Sequence, residues 1–507
     1  MDFILFTPFD RSRFLGAYRI ARILRDEGYS VIVVDFMQQM LEDSSELLLW
    51  LQKHVHDNTV FGFSGTFMSF AIVDDDFGEK SSLPDDRKFK RYSRTLARRK
   101  FAAEAGRSVR PEVVEFLDDL KMDFPDNKIV IGGAGFIAEF MFRSLPIDHL
   151  FMGYSEETAT RELVDIYKGK DVTDVIHQDP FELTFDFHNT GNTFDAEDII
   201  FPNEVLPLEI SRGCRFACKF CGWALTGRKM SDKYIRHKDK IFNELMHNYE
   251  LFGTSNYNMM CDTFNESNEK LLMLKGIFDE FNKLTGERLR FNSYLRLELM
   301  KRFPEQINIL RDMGIIATNL GIETLHYPSA KAIGKGILPE DVYNTVSKMR
   351  ESWGEEARLH SGFIIGLPYE TKETATKWLT SLYNKELDLT SWKLSPLRIN
   401  TNRASEFTSP FDRETDKYGY RMSSTKWKPE SWINAPDGSE VWENEHWDYY
   451  ECDELVAEWT KKFNNDGIVK FADHPWGYLN YKHGIIKGQR GRPSKDVVQK
   501  YRDRLLQ

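Results

Sequence analysis

"SRGCRFACKFCGW" occupies residues 211–223 and places three of the chain's five cysteines, Cys214, Cys218 and Cys221, within eight positions. The residues leading into it, "LPLEIS" (206–211), form a short apolar run of strand character, so the thiols fall on the loop leaving a strand end. A structural zinc site takes four protein ligands. The other two cysteines, Cys261 and Cys452, are distant from the cluster, and no histidine follows at finger-like spacing. Three thiolates on one loop instead suit a 4Fe-4S cluster in which one iron lacks a protein ligand and can bind a substrate or cofactor. On spacing alone, zinc and a purely electron-transferring cluster stay open.

Downstream of the cysteines, strand-like and helix-like segments alternate. After "LPLEIS" come "YNMMCD", "LRFNSYL", "IIATNLGIE", "LHSGFIIG" and "TSWKLSPL", with helical patterning between several of them, as in "EKLLMLKGIFDEFNKL". Six strand–helix units predict a partial, TIM-like (β/α)6 barrel over 206–400, with its chemistry at the carboxyl ends of the strands. Upstream, residues 1–170 alternate in the same manner. "DFILFTPFD", "SVIVVDF", "TVFGFSGTF", "NKIVIGGAGF" and "IDHLFMGYSEE" read as strands, and "FLGAYRIARILRDEG" reads as a helix stopped by Gly28. This is the pattern of a doubly wound parallel sheet of Rossmann-like type with a ligand crevice at its strand ends. No G-x-G-x-x-G follows the first strand, which argues against a nicotinamide site. Residues 171–205 read as a linker, and 401–507 as a Trp-rich, irregular extension. The fold class is therefore α/β in both main domains.

The spacing CxxxCxxC, with Phe220 just before the third cysteine, resembles the signature of the radical S-adenosylmethionine (radical SAM) enzymes. The resemblance extends through 206–400. "CDTFN" supplies Asp262, "SYLRLE" Arg296, "NLGIETL" Gly321 and Glu323, and "GFIIGLPYET" Gly362, Gly366, Pro368 and Glu370, each at an expected strand end. It implies that Cys214, Cys218 and Cys221 hold a 4Fe-4S cluster whose open iron chelates S-adenosylmethionine. Reductive cleavage then gives methionine and a 5′-deoxyadenosyl radical that takes hydrogen from a substrate. It further implies that the Phe220 backbone and Gly222 face the adenine and amino end of S-adenosylmethionine, and that Asp262, Arg296, Glu323 and Gly366 contact the rest of it. Read singly, Glu323 also suits a helix cap or a pair with Lys331, Arg296 a surface charge, and Gly366-Leu367-Pro368 a plain turn.

The first domain resembles the cobalamin-binding module that often precedes such barrels. Ser64 and Thr66 in "FSGTF", Gly132 and Gly133 in "IGGAGF", and Gly153 and Glu156 in "MGYSEET" fall where its loops would cradle the cofactor's nucleotide tail. Small and hydroxyl residues there permit close backbone approach. Two departures stand out. The D-x-H-x-x-G motif that brings histidine to cobalt is absent, because "DRSRFLG" has Ser12 at the histidine position. An insertion at 74–110 is also unusual. The resemblance implies cobalamin-dependent methyl transfer to an unactivated centre. A cobalamin-independent radical rearrangement, with the front domain as scaffold, stays open. So does a nucleic-acid-binding protein with a structural cluster.

A net charge of −11 disfavours general affinity for nucleic acid. The exceptions are two basic segments. Residues 87–110 carry ten Lys or Arg against one acid, and 487–495 contain "GQRGRPSK", similar to the core of an AT-hook or, more simply, a turn before a last helix starting at Ser494. The tryptophans at 427, 432, 442, 447, 459 and 476 are expected to form the core of a small cap. No apolar run reaches the roughly 18 residues needed to cross a bilayer, and the N-terminus lacks signal-peptide features. The expected location is the cytoplasm, and the expected partner is an external electron donor of flavodoxin or ferredoxin type.

Overall fold

Four-residue apolar runs with no polar side chain, "FILF" and "VIVV", suit a sheet covered on both faces, and they pair with one another in the first sheet. The computed structural model describes residues 1–9, 12–65, 72–74, 107–132, 142, 145–152, 156, 158–170, 176–178, 186–222, 234–399, 409–422, 441–468, 475–484 and 493–507. In the first domain β1 (Phe3–Phe6), β2 (Val31–Val34), β3 (Val60–Ser64), β6 (Lys128–Gly132), β7 (His149–Met152) and β8 (Ile176–Gln178) make one sheet in the order β2-β1-β3-β6-β7-β8. Every pairing is parallel. The chain reverses direction across the sheet between β1 and β3, which is the switch point where open α/β sheets hold ligands. The helix Leu15–Asp26 leaves β1 and covers one face with Tyr18, Ala21 and Leu24.

Two expectations change here. The segment 171–205 is not merely a linker, since β8 lies within it and is the outermost strand of the first sheet. Its stretch around Asp195–Asp198 is tied to the helix Leu15–Asp26. Arg25 Nη2 meets Asp198 at 2.8 Å, and Arg22 pairs with Asp195. The insertion at 74–110 is closed at its base by an antiparallel pair, β4 (Ile72–Asp74) and β5 (Arg107–Val109). The rest of that basic segment lies outside the described residues, as do Thr66, Gly133, Gly153, Trp427, Trp432 and most of 487–495.

The second domain is built as expected. β9 (Leu206–Leu208), β10 (Asn256–Met259), β11 (Arg290–Leu295), β12 (Ile315–Glu323), β13 (Arg358–Ile365) and β14 (Ser391–Pro396) form a six-stranded parallel sheet in simple sequential order, with helices between them. Outward residues such as Tyr257, Phe291, Leu295, Leu320 and Leu394 are buried beneath those helices.

The extension after 400 is more regular than its sequence suggests. A short hairpin pairs β15 (Arg421–Met422) with β16 (Trp442–Glu443). A helix Tyr449–Asn465, started by an Asp448/Glu451 capping box, packs beside β14. A second helix, Pro475–His483, lies against β10 to β13, where Asn292 Nδ2 donates to the Pro475 carbonyl at 3.2 Å. A third, Lys495–Leu505, starts at the Ser494 cap and returns to the first domain. There the Tyr501 hydroxyl accepts from Asp35 N at 2.8 Å and donates to the Val33 carbonyl at 3.2 Å. Trp442, Trp447 and Trp459 are buried core, as expected of a cap. No described helix is long and apolar enough to cross a membrane.

One buried polar network joins the parts. Arg13 is fully enclosed and grips Glu204 with two nitrogens, at 2.6 and 2.8 Å. It also donates to Tyr18 at 2.6 Å and pairs with Asp35. Desolvation opposes its charge, but Glu204, Tyr18 and Asp35 outweigh that and hold it protonated. Glu204 lies two residues before β9, so this cation fixes the first sheet to the start of the barrel.

Candidate active site

The cysteine loop begins where β9 ends and is fastened by its backbone. Arg212 N donates to the Tyr234 carbonyl at 3.0 Å, Lys219 N to Ile333 at 3.1 Å, and Cys221 N to Cys218 at 3.1 Å. Gly213 turns the chain at φ 86°, a left-handed conformation that glycine adopts without a Cβ penalty. Cys218 is buried; Cys214 and Cys221 are partly accessible. Cys214 Sγ lies 3.2 Å from Thr263 Oγ1, and burial pushes its thiol up. Among the described residues, no three His, Cys, Asp or Glu side chains are grouped closely enough to hold a single metal ion. The three thiols thus share a loop without forming a ready-made site for one ion.

Arg296, at the end of β11, is not a surface charge. Its Nη1 donates to Cys218 Sγ at 3.2 Å and its Nη2 to the Gly334 carbonyl at 2.7 Å, and its guanidinium lies 4.1 Å from the Phe216 ring centroid. Asp262, just past β10, opens toward a cavity but has protein on its other sides. Burial pushes its carboxyl up to about 6 despite a hydrogen bond from the Gly213 backbone.

Glu323 ends β12 after a register irregularity and holds φ 69°, an uncommon conformation for a residue with a side chain. Its partner is Lys335, 3.8 Å away, and not Lys331. Lys335 Nζ also donates to the Gly321 carbonyl at 2.9 Å, over the space a Gly321 side chain would fill. Burial pushes the Glu323 carboxyl up, and Lys335 pulls it back. Phe220 packs against the core and Gly222 is half-buried.

Gly366 has a different setting. Its N–H donates to Glu370 Oε2 at 2.9 Å and its carbonyl accepts from the Tyr420 hydroxyl at 2.8 Å. A Cβ on it would lie 2.6 Å from the Trp442 ring. The environment seen here is the seam between barrel and extension. Glu370, below it, also accepts from Trp378 Nε1 at 2.9 Å, and its complete burial pushes it up to about 7.

Between the two sheets lies a cavity of about 390 Å³. Its floor is the switch point of the first sheet: Leu5 and Phe6, Gly62, Phe63 and Ser64, Val130 and Gly132, with Phe151 beside them. Gly16, Ala17 and Ile20 on the helix Leu15–Asp26 form a side wall. The opposite wall is the start of the cysteine loop, from Glu209 to Gly213, together with Met260 and Asp262. Of the residues expected to cradle a nucleotide tail, Ser64 and Gly132 therefore lie on the same cavity as Asp262. Nothing lies within 4 Å of where a Gly16 side chain would begin.

Charged groups tie these walls together, and of them only Glu156 was singled out in the sequence. Arg212, two residues before Cys214, meets Glu156 of the first domain at 2.6 Å and Glu209 at 2.8 Å. Arg19 reaches Glu209 at 3.5 Å. A signal for this existed in the sequence. Arg19, Arg22 and Arg25 recur every three residues on one helix, opposite the acids Asp195, Asp198 and Glu209. Such a stripe on an otherwise apolar helix indicates a charged partner surface.

Residues 208–381 match the model of the Radical SAM superfamily. The anaerobic magnesium-protoporphyrin IX monomethyl ester cyclase of Cereibacter sphaeroides is 22% identical over 189 residues, which are 36% of this chain and 29% of that protein. The matched region thus spans less than a third of this curated relative. Along nearly the whole chain the fold is similar to that of the radical S-adenosylmethionine methyltransferase TsrM from Kitasatospora setae, solved with cobalamin and a [4Fe-4S] cluster. The TM-score is 0.57 at 14% identity, covering 99% of each chain. The cobalamin-dependent S-adenosylmethionine radical enzyme OxsB, solved with aqua-cobalamin and S-adenosylmethionine, gives 0.56 at 14% identity over 92% of this chain and 67% of that one.

Proposed function

We propose that this chain, whose barrel is a radical SAM domain, transfers a methyl group from S-adenosylmethionine to an unactivated carbon or phosphorus centre with the help of cobalamin. The observation that carries this reading is the shared cavity, in which the switch point of the front sheet and the base of the cysteine loop face one another.

The residues fit the groups this reading needs. Three thiols on one fastened loop, not drawn together around a single ion, suit ligands to separate irons of a cluster. Arg296 donates a hydrogen bond to the Cys218 sulfur and so orients it, and Glu323 with Lys335 offers a charged pair at the rim for the polar parts of S-adenosylmethionine. A broad apolar floor bordered by glycines suits a large flat macrocycle. Gly16 and Gly132 leave room that any side chain would fill. When bound, the cluster would supply the electron that cleaves S-adenosylmethionine, and the corrinoid would carry the methyl group. The protein's own part is to hold the two sites at fixed separation, through Arg212 on Glu156 and Arg13 on Glu204, and to keep the space between them walled. The electron comes from an external reductant.

The test is anaerobic reconstitution of the cluster, addition of hydroxocobalamin and S-adenosylmethionine, desalting, and measurement of corrinoid, iron and 5′-deoxyadenosine. The expected result is close to one corrinoid per chain alongside cluster iron. Iron and 5′-deoxyadenosine without corrinoid would refute methyl transfer through cobalamin and leave the front domain as scaffold.

A further inference from the structure

The outer side of the cysteine loop carries a charge pattern that cofactor binding does not use. Arg215 and Ala217 are exposed and Lys219 is half-exposed, whereas Cys218 between them is buried. Two further segments are joined to the loop. Lys219 N bonds the Ile333 carbonyl at 3.1 Å, and Phe411 N bonds the Lys219 carbonyl at 3.0 Å. Each brings an exposed cation, Lys331 and Arg413. Arg413 and Lys219 both act on the Glu414 carboxylate, and Lys417 pairs with it at 2.7 Å. Among the described residues the loop and these two segments therefore carry five cations, Arg215, Lys219, Lys331, Arg413 and Lys417, of which Lys219, Arg413 and Lys417 meet at Glu414. They stand against Asp412, Glu414 and Asp416, in a chain whose net charge is −11. An acidic protein would be repelled by most of such a surface and steered to this one.

Taking the radical reading above as its premise, we propose that this face docks an acidic one-electron carrier protein. One electron leaves the carrier, which is oxidised by one unit, and enters the cluster, which is reduced by one; no bond is made or broken in the step.

The experiment compares reduction of the reconstituted full chain by photoreduced flavodoxin and by titanium(III) citrate, followed by stopped-flow absorbance. In the wild type the flavodoxin rate should fall as salt is raised. The double variant Lys331→Glu, Arg413→Glu should be reduced by flavodoxin about tenfold more slowly, while titanium(III) reduces it as fast as the wild type. Equal flavodoxin rates in both proteins, or a wild-type rate indifferent to salt, would overturn the docking surface and leave the radical reading intact. Retention of a duplex oligonucleotide by the wild type but not the double variant would reassign the face to nucleic acid and likewise overturn the proposal. A wild type that assembles no cluster would instead refute the radical reading itself. Should the double variant lose its cluster, the wild-type salt dependence still decides the matter.

Discussion

The two sheets are alike in strand number and direction, and both open their carboxyl ends onto the same space, yet their rims are opposites. At the barrel rim each functional group is charged and already partnered: Arg296 on Cys218, Glu323 on Lys335, Asp262 on the Gly213 backbone. At the rim of the front sheet the cavity meets Leu5, Phe6, Gly16, Gly62, Gly132 and Phe151, with few polar groups. A charged rim selects by hydrogen-bond geometry and charge, as a small zwitterion requires. A rim of rings and missing side chains selects by shape, as a large flat ligand requires. The comparison predicts that damage to one rim should leave the other's ligand in place.

The strongest test is Cys218→Ala. It is expected to abolish reductive cleavage of S-adenosylmethionine and lower cluster iron, while corrinoid retention on the front sheet survives; loss of both together would break the division. The converse change is Gly16→Phe, which fills open cavity space without touching the loop. It should weaken corrinoid retention by about tenfold or more and leave iron content and 5′-deoxyadenosine formation unchanged.

Two further changes concern the seam beneath the barrel rim. Gly366→Ala forces a side chain into Trp442 at a φ of 95°, and is expected to cost roughly 2–4 kcal/mol in urea denaturation. The smallest effect is that of pH on Glu370, whose carboxyl is pushed from 4.5 up to about 7 by burial. A raised folded-state value means that the native state binds the proton more tightly. The contribution is therefore fullest below about 4.5 and is lost as pH rises to about 7, by up to about 3 kcal/mol. Glu370→Gln loses an acceptor at every pH but cannot ionise. Its stability relative to the wild type should therefore rise between pH 5 and 8, and a flat difference would refute the assignment.

The same contrast explains what was legible in the sequence. The barrel was, because Cys214, Arg296 and Glu323 announce themselves by chemical type at strand ends, and because each strand is separated by a helix of clear period. The front cavity was only half legible. Ser64 and Gly132 could be placed on strand-end loops, but the void beside Gly16 exists only once the domains meet. In pairs such as Arg212 with Glu156 and Lys335 with Glu323 the contact is made by the fold, so the cations Arg212 and Lys335 did not look special in their own neighbourhoods. β8 was missed because a three-residue strand gives almost no periodicity. The extension read as irregular because Trp-rich segments with intervening turns hide short helices. Yet the Asp448/Glu451 capping box was a usable start signal.

The return of the last helix to the first domain has a consequence in time. Asp35 and the hydroxyl that completes its surroundings, that of Tyr501, are 466 positions apart in the chain. At a synthesis rate of about 5–20 residues per second, the ribosome needs roughly 25 to 90 seconds to deliver the second after the first. Throughout that interval the front sheet exists with Arg13 and Asp35 lacking their final cover. The domain that is made first is thus finished last.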